Sequence, residues 1–137
     1  MRLVSVVIGA ESSDKRFEST KNMLGYAFAN YESRKILAAD QPLEQKLAVR
    51  GCKQREISVC TERSLTVFAK KGEEVNTSYE IILNSNVKAP FDAGVEVGEA
   101  LLYRDGLEAD RCKIVAAEPA VKFSYGEAYR EIANHWN

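Results

Sequence analysis

The first ten residues, MRLVSVVIGA, constrain the fold of this chain more than any other stretch. Apolar side chains occupy both alternating faces of the segment from Arg2 to Ile8, which is the pattern of a strand inside a sheet that is covered on each side. A strand of this kind needs neighbouring strands. The segment therefore predicts a β-strand whose partners lie elsewhere in the chain or outside it.

Charge and length exclude several classes of protein. Nineteen basic and twenty acidic residues are mixed along 137 residues, so no basic stripe is available to neutralise phosphates, and nucleic acid is not an expected partner. The chain is long enough for one ordinary domain with attachments. Its sequence shows neither a run of about 18 apolar residues nor the features of a signal peptide.

The cysteines do not predict a metal site. Cys52, Cys60 and Cys112 form no C-x-x-C pair, and His135 is the only histidine, so we expect no metal and no zinc ligation. One disulfide is possible but not required. The residues are interpreted as small core residues or unpaired thiols. No cofactor is expected either, because Lys113 does not lie at a hairpin tip as the lysine of a biotinyl or lipoyl carrier does.

A helix of about 17 residues is predicted after the first strand. Ser13 is a candidate N-cap, and Asp14 suits the positive end of the helix. An apolar stripe recurs at helical spacing, formed by Phe17, Leu24, Ala27, Phe28 and Tyr31.

From Ser33 the pattern changes to the alternation of short strands. The alternating apolar positions are Leu43, Leu47 and Val49, then Ile57 and Val59, then Leu65, Val67 and Ala69, then Tyr79, Ile81 and Leu83. Asp105-Gly106 lies between two apolar runs and predicts a type I′ hairpin turn. Gly94 and Gly98 are interpreted as backbone positions at bends or turns. Together these strands predict a small antiparallel sandwich or barrel.

The last segment returns to helical spacing. Ser124 and Glu127 form a capping box, and the apolar face that comes after it contains Tyr125, Ala128, Tyr129, Ile132, Ala133 and Trp136. This pattern predicts a C-terminal amphipathic helix. Because Glu127 and Glu131 outnumber Arg130, we expect only weak contact of this helix with a membrane surface.

The sequence contains no catalytic constellation. Ser12 and Lys15 match the S-x-x-K motif of serine enzymes, but the chain has neither an S-x-N nor a K-T-G motif. We interpret the match as chance and predict no catalytic residue. An activity of the chain on its own is therefore not expected.

Four stretches resemble the C-terminal part of the D-alanyl-D-alanine carboxypeptidases, the low-molecular-weight penicillin-binding proteins. They are MRLVSVVIGAESSDKRFESTKNMLGYAFANYES, LTVFAKKGEE, TSYEIIL and VKAPFDAGVEVGEALLYRDG. The resemblance implies an α+β, mainly β protein. Residues 1–33 would be the last strand and helix of the penicillin-binding domain, residues 34–121 an all-β domain, and residues 122–137 an amphipathic helix.

The same resemblance implies a few site residues. Arg16 matches an arginine near the active-site cleft that helps to hold the carboxylate of the substrate, which suits the paired donors of a guanidinium. The terminal helix is similar to a membrane-surface segment, in which the interface residues would be Tyr125, Tyr129, Ile132 and Trp136. The alternative for Arg16 is a solvated residue of the first helical turn.

We expect the chain to be the non-catalytic C-terminal region of a serine-type D-Ala-D-Ala carboxypeptidase of peptidoglycan maturation, located outside the cytoplasmic membrane. The expected partners are a missing N-terminal catalytic domain and peptidoglycan or envelope proteins. The alternative is a free-standing β-sandwich binding module of the envelope. Because an exposed apolar strand recruits other chains, the first 33 residues should self-associate, whereas the β-domain from Ser33 should be monomeric.

Overall fold

The structure is a computed structural model that describes residues 1–126. One helix, α1 (Ser13–Asn30), precedes seven strands. The strands are β1 (Tyr31–Leu37), β2 (Pro42–Ala48), β3 (Glu56–Thr61), β4 (Leu65–Lys70), β5 (Thr77–Leu83), β6 (Glu96–Arg104) and β7 (Leu107–Ala116). The chain is thus mainly β with one helix, as the sequence predicts.

Two antiparallel sheets enclose the core. β1 pairs with β4, and the other five strands form a sheet in the order β2-β3-β7-β6-β5. The inward positions of both sheets meet in one apolar cluster, because alternate residues of a strand point to the same face. Its fully buried side chains include Ile57, Val59, Leu65, Val97, Leu102 and Ile114. The predicted small antiparallel β-sandwich is confirmed.

The predicted hairpin turn is also confirmed. Asp105 and Gly106 connect β6 to β7 with φ angles of 51° and 82°, and positive φ at both central residues defines a type I′ turn. Gly94 has φ of 89° and lies in a turn, as expected. Gly98 differs, because it lies within β6 at a register irregularity and faces the backbone of β5 closely.

The strand predicted at Arg2–Ile8 is not formed in this structure. No strand of residues 1–126 pairs with this segment, and a strand requires a ladder partner. Val4 and Ile8 are 87% and 91% exposed. The alternation of the sequence is still visible, since Leu3, Ser5 and Val7 are partly buried.

The helix is confirmed with a shift of its cap. Ser12, not Ser13, is the N-cap, and its Oγ accepts a hydrogen bond from the Lys15 N–H at 3.2 Å. The helix ends at Asn30, so Tyr31 begins β1 instead of completing the helical stripe. β1 was not predicted, and it crosses the expected boundary between residues 33 and 34. The C-terminal helix predicted from the sequence falls mostly beyond Gly126, outside the described residues.

Candidate functional site

The Ser12-x-x-Lys15 motif is used as a helix cap in this structure. The Ser12 hydroxyl accepts from the backbone of Lys15, whereas the Lys15 ammonium pairs with Glu11. A nucleophilic serine needs a basic group within hydrogen-bond distance of its hydroxyl. The lysine side chain is instead engaged by a carboxylate, and Ser12 has a structural role that accounts for its presence.

Arg16 lies exposed in the first turn of α1. One of its terminal nitrogens donates to Ser13 Oγ at 3.0 Å. A guanidinium has five donor hydrogens in a planar fork, so most of its hydrogen-bonding capacity is available to a further group. The role of Arg16 in binding a substrate carboxylate stays a prediction.

Residues 1–30 form a segment that we call the apolar arm. None of the residues of α1 is buried, and Phe17 is 73% exposed. The exposed apolar side chains of the arm are Met1, Val4, Val6, Ile8, Phe17, Met23, Tyr26 and Phe28. An apolar surface of this extent is a typical interaction site in a soluble protein.

The apolar arm joins the sandwich at one end of β1 and β4. The Tyr31 and Phe68 rings stack with centroids 5.2 Å apart and an angle of 5° between their planes. The Lys71 ammonium donates to the Phe28 carbonyl at 3.0 Å, and the Lys71 N–H donates to the Asn30 carbonyl at 2.8 Å. The end of α1 is therefore fixed to the sandwich, although its sides are not covered.

An ion pair ties the β3–β4 turn to β7. Two nitrogens of Arg63 donate to the two carboxylate oxygens of Asp110 at 2.9 and 2.6 Å, and Arg63 also donates to the Arg111 carbonyl. The hydrogen bond from Arg63 lowers the pKa of Asp110 below its ordinary value. This bidentate geometry holds the β3–β4 turn against β7. The pair was not predicted, because the partners are far apart in the chain and no local pattern links them.

The three cysteines are free thiols, and all three are buried. Burial raises the pKa of Cys60 and of Cys112 above the ordinary thiol value, so both remain protonated at neutral pH. Their interpretation as core residues is confirmed by their position. No group of three or more His, Cys, Asp or Glu residues within residues 1–126 is arranged to hold a metal ion.

The predicted membrane-interface residues are only partly described. Tyr125 is 84% exposed, and its ring meets that of Phe123 edge to face at 6.2 Å. The other three, Tyr129, Ile132 and Trp136, lie outside the described residues. Over the part of the chain that the structure describes, no helix is long and apolar enough to cross a membrane.

One protein family matches the part of the chain that forms the sandwich. The model of the penicillin-binding protein 5, C-terminal domain, matches residues 31–122, which is about two thirds of the chain. The match begins at the first residue of β1 and ends a few residues beyond β7. It covers the two sheets and leaves out α1.

Curated relatives extend the likeness to the apolar arm. The chain is 29% identical over 137 residues to D-alanyl-D-alanine carboxypeptidase DacF from Bacillus subtilis, covering 99% of this chain and 35% of the relative. It is 30% identical over 129 residues to D-alanyl-D-alanine carboxypeptidase DacA from Haemophilus influenzae, covering 93% of this chain and 31% of the relative. The chain thus spans about a third of the length of these relatives.

Solved structures share the fold. Penicillin-binding protein 5 from Haemophilus influenzae superposes with a TM-score of 0.70 at 20% identity, over 85% of this chain and 34% of that one. A peptidoglycan synthesis regulatory factor (PBP3) from Streptococcus pneumoniae gives a TM-score of 0.65 at 19% identity, over 79% of this chain and 32% of that one.

Proposed function

Because the chain belongs to the family of the penicillin-binding protein 5 C-terminal domain, we propose that it acts as the non-catalytic C-terminal part of a serine-type D-Ala-D-Ala carboxypeptidase. Its task is to hold a catalytic domain at a fixed distance from the membrane during peptidoglycan maturation. The likeness to two curated carboxypeptidases over nearly all of this chain supports the proposal. The location is then the outer side of the cytoplasmic membrane.

The observation that carries the proposal is the placement of the two chain connections. The apolar arm joins the sandwich where Tyr31 pairs with Lys70, the end of the fold that also holds Thr77, which pairs with Arg104. The segment after β7 leaves from the opposite end of the five-stranded sheet, where Ala116 pairs with Val59. A strand of nine residues such as β6 spans roughly 30 Å. The sandwich therefore keeps the apolar arm and the C-terminal segment apart.

The exposed side chains of the apolar arm supply the contact for a catalytic domain. Val4, Ile8 and Phe17 are all largely exposed. The backbone N–H and C=O groups of residues 2–8 do not pair with any strand within residues 1–126. A preceding domain that adds strands beside this segment would cover both features. In a free-standing β-sandwich module the unpaired segment 2–8 would lack neighbouring strands, so this observation favours the carboxypeptidase over the alternative.

Four further expectations belong to the same proposal. The chain alone is inactive, because Ser12 is a helix cap and Lys15 pairs with Glu11. Arg16 stands beside the substrate site of the neighbouring catalytic domain, and Tyr125, Tyr129, Ile132 and Trp136 lie in the membrane interface. Peptidoglycan or envelope proteins are the partners of the sandwich.

A chimera tests the positioning role. The corresponding third of the Bacillus subtilis relative is replaced by this chain, and a second version lacks the segment from Ser33 to Val121. We expect both to hydrolyse a soluble D-Ala-D-Ala peptide at similar rates. On membranes, only the complete chimera should trim peptidoglycan efficiently. The distance of the catalytic domain from the membrane matters for that substrate but not for a soluble peptide.

Labelling with a penicillin tests whether the chain alone lacks catalytic activity. The chain alone is incubated with a fluorescent penicillin and analysed by mass spectrometry. We expect no adduct, and an adduct on Ser12 would contradict the proposal. Equal activity of both chimeras on membrane-held peptidoglycan would remove the positioning role while leaving family membership intact.

A further inference from the structure

At the end opposite the apolar arm, backbone hydrogen bonds join three segments of the sandwich. They are the β2–β3 connection, the β5–β6 connection and the segment after β7. The Arg50 N–H donates to the Val87 carbonyl at 3.2 Å, and the Ala89 N–H donates to the Arg50 carbonyl at 3.1 Å. The Lys53 N–H donates to the Val121 carbonyl at 3.1 Å. Isolated bridges join Arg50 with Lys88, Cys52 with Lys122 and Phe91 with Ala120. We call this surface the basic end.

The basic end concentrates positive charge. Its five exposed basic residues are Arg50, Lys53, Arg55, Lys88 and Lys122. Within residues 1–126, none of them has a carboxylate oxygen within 4.0 Å of its charged nitrogens. The whole chain has one more acidic than basic residue, so the excess of basic residues at this end does not follow from the net charge of the chain.

The carboxylates near the basic end are partly occupied by other groups. Glu118 accepts from the Ser58 N–H at 2.7 Å, and Glu96 pairs with Lys113 at 2.8 Å. Glu56 and Asp92 are exposed. Glu118 keeps its negative charge in its hydrogen bond with Ser58, since the backbone N–H is neutral and lowers the pKa of the carboxyl. Five basic side chains therefore face three unpaired carboxylates, Glu56, Asp92 and Glu118, and the excess of positive charge leaves an attractive surface for anions.

Exposed apolar side chains border these cations. Val121 is 60% exposed, and Phe123 and Tyr125 are also exposed. The Phe123 N–H donates to the Gly51 carbonyl at 2.8 Å, so the apolar residues are held against the loop that carries Arg50 and Lys53. Aromatic side chains beside basic ones are typical of surfaces that meet lipid headgroups.

We infer that the basic end of the sandwich is itself a docking surface for an anionic membrane, acting in addition to the C-terminal segment. The inference rests on the proposed positioning role, since a spacer needs a membrane-facing end. Basic side chains attract the anionic headgroups, while Val121, Phe123 and Tyr125 enter the interface. Two weak contacts then combine, which stable attachment requires when each alone is marginal.

Vesicle co-sedimentation of the full chain tests the inference. Vesicles contain phosphatidylcholine alone or with an increasing fraction of phosphatidylglycerol, at several salt concentrations. We expect binding to rise with the anionic fraction and to fall with salt. Each charge removed from the membrane contact should weaken binding about fivefold. The triple variant Arg50→Gln, Lys53→Gln, Lys88→Gln should therefore lose binding on the order of a hundredfold.

A matched variant controls for net charge. Lys21→Gln, Lys35→Gln and Lys70→Gln remove three exposed basic residues from α1, β1 and β4, outside the basic end, and should leave binding within about twofold of the parent value. Circular dichroism and thermal unfolding establish that both triple variants are folded. An equal loss in the two triple variants would overturn the inference, because total charge and not this surface would then decide binding.

Two other outcomes would also overturn it. Binding that is independent of the anionic fraction but lost in Trp136→Ala would assign attachment to the C-terminal segment alone, and the positioning role tested by the chimeras would stand. Binding to a soluble glycerol-phosphate polymer without binding to vesicles would make a wall polymer the partner. If a variant unfolds, salt titration of the unmodified chain still tests the inference, because binding to anionic vesicles is expected to fall with salt.

Discussion

Gly98 in β6 faces the backbone of β5 so closely that a Cβ atom on it would lie 2.2 Å from the Ile82 carbonyl oxygen. No real Cβ makes such a contact with backbone, so a larger residue must push the two strands apart. Gly98 is itself buried, next to a register irregularity of the β6–β7 pair. Its small size, not an unusual φ angle, is what the fold requires.

Replacing Gly98 by alanine should therefore destabilise the sandwich. We expect Gly98→Ala to lower the free energy of unfolding by about 1–3 kcal/mol or more, as overpacking does. Gly25→Ala makes the same chemical change in the middle of α1, where nothing lies within 4 Å of the new atom. It should instead favour the helix by roughly 0.5–1 kcal/mol. Urea unfolding of both variants measures the difference, and a neutral Gly98→Ala would refute the close approach.

The Arg63–Asp110 ion pair predicts an acid-dependent contribution to stability. Because Arg63 lowers the pKa of Asp110 in the folded state, the contribution is present above the ordinary carboxyl pKa of about 4 and is lost as the pH falls through the lower folded value. Arg63 is half exposed, so solvent screening limits the pair to about 1 kcal/mol.

Asp110→Asn should remove this contribution at pH 7 and flatten the decline of stability below about pH 4, where the parent begins to lose the contribution. A double-mutant cycle with Arg63→Gln separates the pair from the other contacts of each residue. Unfolding curves at roughly pH 7 and pH 3 give the result. A coupling energy that is the same at both pH values would exclude an ionised Asp110 as its source.

Thr61 is the one fully buried polar residue of the core within the described chain. Its hydroxyl donates to the Ala38 carbonyl at 3.1 Å, which fixes the connection between β1 and β2. Thr61→Val keeps the shape but removes the donor, so we expect a loss of about 1 kcal/mol. Thr61→Ser keeps the donor and tests the methyl group. If valine stabilises the protein in thermal unfolding, the hydrogen bond has no net value.

The exposed apolar arm predicts self-association of the full chain. Val4, Val6 and Ile8 are exposed together with the apolar side chains of α1, and such a surface closes most simply in a two-fold dimer. Light scattering should show oligomers that Val6→Lys weakens. A chain that starts at Tyr31 should be monomeric, because β1 begins there. A monomeric full chain with residues 2–8 protected from hydrogen exchange would contradict this expectation.

Features decided by neighbouring residues were predictable from the sequence. Asp105 and Gly106 form the predicted type I′ turn, with a positive φ angle at both residues. The alternating apolar residues of β3 and β4 are buried in the core. The helix was placed correctly except for its ends. Its apolar spacing continues to Tyr31, but Tyr31 stacks on Phe68 across the β1–β4 pair, and this tertiary contact decides where the helix stops.

Features decided by distant residues were not predictable. β1 was missed because the pattern YESRKIL mixes charges into a strand whose residues are mostly half-buried. The ion pair of Arg63 with Asp110 and the approach of Gly98 to Ile82 join separate strands, and one sequence carries no signal for them. Arg16 was found only through resemblance, and the structure adds its contact with Ser13.

The opposite placement of the two chain connections has a mechanical consequence. Tension between a domain held by the apolar arm and a surface bound at the basic end would run along the strands. Hydrogen bonds in antiparallel pairs lie perpendicular to the strands, so the paired positions from Tyr31 to Leu37 would be sheared together instead of being opened one after another. If both contacts form, the sandwich would transmit tension between them along its strands without unravelling from either end.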